Sequence, residues 1–213
     1  NLAMDADGNI YVTDALFGVF QIFNSSGRIL LSVGERNEQG GRGRFLLPAG
    51  VFALAYFSLG FILLKAHAVG FSVTQIVLLY ALFNTTCVVA APLVGQLGDR
   101  VGRSRIVMLG YAVYACINLW LMFAGTRWEM VAVFAVYGLF YAIEESQSKA
   151  FIADLEPERR ATAMGVYNFV TGAVYLPASV VAGALWTVAP SLAFAVSAAL
   201  SLAAMMVFVV RRP

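Results

Sequence analysis

The sequence predicts a mainly α membrane protein: a six-helix transmembrane bundle preceded by a short antiparallel β meander. Three observations predict it. Of 213 residues, 61% are hydrophobic and only 12% charged, with a mean hydropathy of +0.80, outside the soluble range. Four charge-free runs, Phe45 to Leu64, Ala66 to Gly98, Ile106 to Thr126 and Ala161 to Val210, extend over 20, 33, 21 and 50 residues, and a single helix needs about 20 to cross a bilayer. The charges are also uneven, because the first 44 residues hold nine of the 26 and seven of the 19 glycines. A polar head, residues 1–47, and an apolar body, residues 48–213, are therefore expected to be pieces of unlike origin.

The head alternates short β-branched or aromatic runs with turn residues. The alternating NLAMD, then IYVTD (Ile10 to Asp14), VFQIF (Val19 to Phe23) and RILLSV (Arg28 to Val33) read as four strands, with DADGN and NSSG as turns. Asp5, Asp7 and Asp14 read as turn-forming and strand-ending residues; the alternative, a calcium site, lacks a full loop of oxygen ligands. DADGNIYVTD, QIFNSSGRILLSVG and GRGRFLLPAG, in that order over residues 1–50, resemble the NHL repeat. The resemblance implies one β-propeller blade and the start of the next. A closed propeller needs several blades. The polar, acidic start without a methionine reads as a truncated N-terminus with no secretory signal.

In the body the expected helices are 48–68, 73–97, 104–125, 129–153, 160–185 and 190–210. Basic residues set orientation. Arg42 and Arg44 precede the first span, Arg100, Arg103 and Arg105 follow the second, Arg159 and Arg160 follow the fourth, and Arg211 and Arg212 follow the sixth. The alternate loops hold only Arg127, with Lys65 near a span end. Both termini are therefore expected in the cytoplasm and the chain in the plasma (inner) membrane. Trp120, Trp128 and Trp186 fall near the opposite ends, where an aromatic belt belongs. Six helices divide as three plus three, and inverted repeats of three are a transporter device.

Between the second and third spans stands GQLGDRVGRSR, Gly95 to Arg105. Gly95 and Gly98 allow helices to approach, Asp99 ends a helix, Arg100 starts a turn, Gly102 permits positive φ, and Arg103 and Arg105 suit the headgroups. The spacing resembles the signature loop of the major facilitator superfamily. DLEPERRATAMG, Asp154 to Gly165 with Arg159 and Arg160, is similar to the matching loop between helices four and five of such a half. The resemblance runs from about Phe52 to Val210 and is to the C-terminal six helices of a facilitator. It implies that Asp99 belongs to a cytoplasmic gating network, with Arg103 and the region of Arg159 and Arg160 as partners. A helix cap with solvated arginines is the alternative. Because the first six helices are absent and a propeller-like head joins at Leu47 to Val51, the resemblance also implies a fusion or chimera.

Three charges lie inside the fourth span: Glu144, Glu145 and Lys149. Ionisable groups within a span face a cavity or each other. Glu145 and Lys149, four apart, can pair along one face, while Glu144 points about 100° away. Glu144 or Glu145 is thus a candidate proton- or cation-accepting carboxylate; an intrahelical pair, with Glu144 snorkelling or bonded to a neighbouring helix, is the structural alternative. Asn84 and Asn168 are candidates to line a polar path, as are several tyrosines, although each also serves as interhelical glue.

Enzyme and nucleotide functions fall away. The chain lacks a GxSG serine with a partner histidine, a pair of intramembrane aspartates, and any Rossmann or P-loop glycine pattern. Two cysteines within apolar runs and a single histidine suit neither a disulfide framework nor a metal site, and no basic aromatic patch suits nucleic acid. No cofactor is expected. The partners expected are the bilayer, a small-molecule substrate, protons or another ion for coupling, and a second copy or a separate N-terminal half. The expected function is secondary transport by alternating access; the alternatives are an inactive fusion and a membrane-anchored NHL-type binding module.

Overall fold

The structure, a computed structural model, describes residues 2–4, 10–14, 19–24, 26, 29–33, 41–155 and 160–210. The chain divides into two units, Asn1–Gly40 and Gly41–Pro213. In the first, β1 (Leu2–Met4), β2 (Ile10–Asp14), β3 (Val19–Phe23) and β4 (Ile29–Val33) pair antiparallel in chain order. Tyr11 stands opposite Ala3 on one side and Ile22 on the other. The β3–β4 register shifts at Ile22/Phe23. Asp5 and Asp7 lie outside the described residues.

The second unit is helical: α1 (Gly41–Ala55), α2 (Leu59–Ala68), α3 (Val73–Val101), α4 (Arg103–Phe123), α5 (Arg127–Ile143), a π-helical turn (Glu144–Ser148), α6 (Lys149–Leu155), α7 (Arg160–Val188) and α8 (Pro190–Val210). Local signals set several starts. Ser72 with Gln75, and Thr126 with Glu129, form reciprocal capping boxes that satisfy orphan amides at the first turns of α3 and α5. Gly102, at φ +101°, turns the chain between α3 and α4 within one residue.

Five segments among the described residues are long and apolar enough to cross a membrane: Phe45–Ala68, Val73–Val101, Arg103–Phe123, Arg160–Val188 and Pro190–Val210. The fourth expected span is the exception. α5 has only 17 residues, and the helix reaches Leu155 by way of a widened turn containing Glu144 and Glu145.

The first expected span differs as well. It begins at Gly41, earlier than residue 48, and is not continuous, because Tyr56 to Ser58 interrupt it. In a bilayer a broken helix must find partners for its freed backbone groups within the protein. Two hydroxyls supply them. Tyr114 of α4 donates to the Ala55 carbonyl at 3.2 Å and accepts from the Phe57 amide at 3.1 Å. Ser197 of α8 donates to the same carbonyl at 2.6 Å. Ser58 then caps α2 through the Gly60 amide.

The core gathers where α1, α4, α5 and α8 meet, around the buried rings of Phe52, Tyr111, Tyr114, Phe140 and Phe208. Phe52 stacks on Tyr111 with ring centres 4.0 Å apart. α3 approaches α5 closely through Gly138, where a Cβ would lie 2.6 Å from the Phe83 carbonyl oxygen. Only a small residue permits that contact. α3 and α7 are the least buried spans, and their outward side chains, such as Val88, Leu93, Phe169 and Leu176, are apolar.

Tyr114→Phe removes the hydroxyl's contacts with Ala55, Phe57 and Ser197 and leaves the Phe57 amide without its partner, which costs about 1–3 kcal/mol. Thermal unfolding in detergent, followed by tryptophan fluorescence, is expected to show a larger fall in Tm for Tyr114→Phe than for Ser197→Ala, which leaves the Ala55 carbonyl its tyrosine.

Candidate functional site

Two clusters carry charge. The first lies at the ends of α3, α4 and α6. Asp99 occupies the last turn of α3 and Arg103 the first position of α4, so the turn at Gly102 holds them one helical turn apart. Arg103 Nη2 lies 3.1 Å from Asp99 Oδ1, and Arg103 Nε lies 3.2 Å from Asp154 Oδ2 in α6. One guanidinium thus bridges carboxylates from two different spans, a task suited to its fork of donors. Both carboxylates are exposed, at 67% and 55%, while Arg103 is at 30%. Exposed pairs of this kind are worth about 0–1 kcal/mol each, weak enough to break and reform.

Asp154 is the partner that sequence reading did not pair with this arginine; Arg159 lies outside the described residues, and Arg160 is an exposed first residue of α7. Arg100 and Arg105 are exposed, with Arg105 reaching the Val101 carbonyl at 3.5 Å. The two motif glycines differ. A Cβ at Gly95 would meet nothing within 4 Å, whereas one at Gly98 would lie 2.0 Å from Gln147 Oε1. Gln147 sits in this notch, donates from Nε2 to the Val94 carbonyl at 3.2 Å, and leaves its buried Oε1 without a partner.

The second cluster is the π-helical turn. Such turns insert an extra residue into a helix and re-aim its side chains. Glu144 Oε2 accepts from Ser148 at 2.9 Å, and Oε1 accepts from the Tyr167 hydroxyl of α7 at 3.1 Å. Its hydrogen-bond donors are therefore neutral, and one comes from a neighbouring helix. Glu145 pairs with Lys149 one turn on, both about half-exposed. Asn84 donates to the Tyr80 carbonyl of its own helix at 2.8 Å. Asn168 is exposed on α7, and its carbonyl accepts from Thr171.

At the opposite end of the bundle, Arg127 donates to the Gly70 carbonyl at 2.6 Å and lies over Phe71. Glu129, in the capping box beside it, accepts from the Thr126 hydroxyl and from the Thr126 and Gly125 amides.

Long apolar spans, with a weak ionic bridge at one end of the helical bundle and a part-buried carboxylate within it, define a polytopic membrane protein. Residues 45–213 match the Major Facilitator Superfamily, and the chain belongs to that family. It is 32% identical over 177 residues to an uncharacterised MFS-type transporter of Methanocaldococcus jannaschii, covering 80% of this chain and 44% of that protein. It is 28% identical over 124 residues to the uncharacterised MFS-type transporter YitZ of Bacillus subtilis, covering 58% of this chain and 75% of that one. The chain thus spans less than half the length of the archaeal relative.

Gly98→Ala would drive a methyl into the Gln147 amide, an overpacking loss of about 1–3 kcal/mol. The double variant Gly98→Ala with Gln147→Ala is expected to recover at least half of that loss in thermal unfolding. Strictly additive losses would show that the two residues do not share the notch.

Proposed function

We propose that the chain is one six-helix half of a secondary transporter that moves a small molecule across the plasma membrane by alternating access, coupled to protons. In this reading the fourth span is the continuous helix of α5, the π-helical turn and α6. The arginine-rich loops and both termini are cytoplasmic, and the helices form two inverted sets of three. A separate N-terminal half or a second copy closes the site against α3 and α7.

The observation that carries the reading is Glu144. A carboxylate held between helices by the Tyr167 and Ser148 hydroxyls has a reason to exist in an apolar bundle if it takes up and gives away a proton. Glu145, already paired with Lys149, is the weaker candidate, and Asn84 and Asn168 flank the path on α3 and α7.

The bridge of Arg103 to Asp99 and Asp154 supports a cytoplasmic gate. Joined, it ties the ends of α3 and α6 to α4; parted, it frees them to move. Arg100, Arg105 and Arg160 hold the surrounding loops at the headgroups, with Gly95 and Gly102 shaping the first of them. A second reading takes residues 1–47 as an NHL-type blade fragment fused to an inert membrane anchor. It rests on the strand-and-turn string DADGNIYVTD and expects stable insertion with no flux.

In reconstituted vesicles, Asp99→Asn is expected to depress uptake several-fold with little loss of membrane insertion; unchanged uptake would sink the gating role. Glu144→Gln is expected to abolish uptake driven by an imposed proton gradient while substrate exchange across the membrane persists. If the gradient still drives the variant, Glu144 is not the coupling group.

A further inference from the structure

The chemistry of the wall around Glu144 restricts what the bundle can hold. Among the described residues, Arg42, Arg44, Lys65, Arg100, Arg103, Arg105, Arg127 and Arg160 all lie in the first or last turns of their helices. The cation further in, Lys149, is engaged by Glu145. Glu144 meets only neutral hydroxyls. Among the described residues the interior therefore holds a carboxylate whose hydrogen-bond partners are neutral, and an anionic solute would find no free cation there as a partner.

Hydrogen-bonding side chains are largely spent. Asn84, Thr85, Thr86, Asn118 and Thr171 each donate to a carbonyl of their own helix, so the wall has these five donors already engaged. It offers rings instead. Tyr175 of α7 lies 5.4 Å from Tyr56, which the interruption between α1 and α2 places outside regular helix. Tyr56 lies 5.9 Å from Phe140, and its hydroxyl is 3.4 Å from that of Tyr137. Phe83 of α3 continues the row to Tyr137 and Tyr141, at 5.4 and 5.3 Å. Tyr56, Tyr141 and Tyr175 retain partial exposure, and the Glu144 amide donates to the carbonyl of Phe140, the ring beside Tyr56, which brings the carboxylate's helix turn up to this row.

Electron-rich ring faces beside a single carboxylate attract a cation whose body is apolar. We infer that the substrate class is a monovalent organic cation with a flat or bulky apolar body, seated on Tyr56 and Tyr175 with its charge toward Glu144. The inference rests on the transport reading of the same bundle and narrows it.

The full chain, solubilised and immobilised, is tested with labelled tetraphenylphosphonium against the neutral triphenylphosphine oxide as competitor. Binding at least about ten-fold tighter for the cation is expected, with Glu144→Gln and Tyr175→Leu each weakening it about ten-fold. Tyr175→Phe, which keeps the ring, is expected to lose less than Tyr175→Leu. Equal affinity for the neutral compound, or a cation preference untouched by Tyr175→Leu, overturns the inference. If Glu144→Gln fails to fold, the charge comparison on the unmodified chain and the Tyr175 pair still decide it. Uptake of neutral or anionic solutes without cation binding overturns the substrate class and leaves transport standing. Cation binding without any flux does the reverse.

Discussion

A backbone carbonyl at Ala55 with two hydroxyl donors is the contact on which the arrangement of the bundle turns. Inside a bilayer no water can take over a hydrogen bond that a helix gives up, so the interruption at Tyr56 to Ser58 exists only because Tyr114 and Ser197 stand ready on α4 and α8. The same constraint shapes the neighbouring helices. Ser201 of α8 donates to the Tyr111 carbonyl and Asn118 to the Tyr114 carbonyl, so polar side chains in the core serve backbone acceptors first. The rings of Phe52, Tyr111 and Tyr114 then fill the space around the break.

Close approach between α3 and α5 follows from a second constraint. With lipid as apolar as leucine, helices gain by packing tightly, and small residues allow it. Gly138 brings the backbone of α5 against the Phe83 carbonyl, and Gly110 admits the Ile143 side chain beside α4. This packing holds α5 against both α3 and α4, and from that position its continuation sends Gln147 into the notch at Gly98 and Asp154 toward Arg103. The interior carboxylate and the ionic bridge at the helix ends are thus carried by one helix.

Much of this was legible in the sequence, and the limits have physical reasons. Charge-free runs mark five spans because length and hydropathy are properties of the chain itself. Asp99, Gly102 and Arg103 are legible as a turn because their spacing is local. The pairing of Glu145 with Lys149 follows from helical geometry alone. Contacts between distant elements were not legible. Nothing in DLEPERR points Asp154 at Arg103, and nothing near Glu144 points to Tyr167, 23 residues later. The interruption of the first span leaves only the faint trace of Ser58 and Gly60 within an otherwise apolar run, which a hydropathy count passes over. The π-helical turn leaves less, because Glu-Glu-Ser-Gln-Ser fits a regular helix equally well.

That turn has a consequence for how the chain tolerates change in length. Each residue of an α-helix advances its side chain by about 100° around the axis, and the widened turn at Glu144–Ser148 accommodates one more residue than a regular turn holds. It therefore sets the rotational phase of everything after it. Asp154 meets Arg103 because α6 emerges at one phase relative to α5, and Glu144 meets Tyr167 because the turn opens at that point. Losing a single residue there would restore a regular turn and leave the far end close to its present phase, still in step with its partner. Elsewhere along the same helix such a loss would rotate everything beyond it by about 100° and uncouple its two ends; at this turn the slack is already built in.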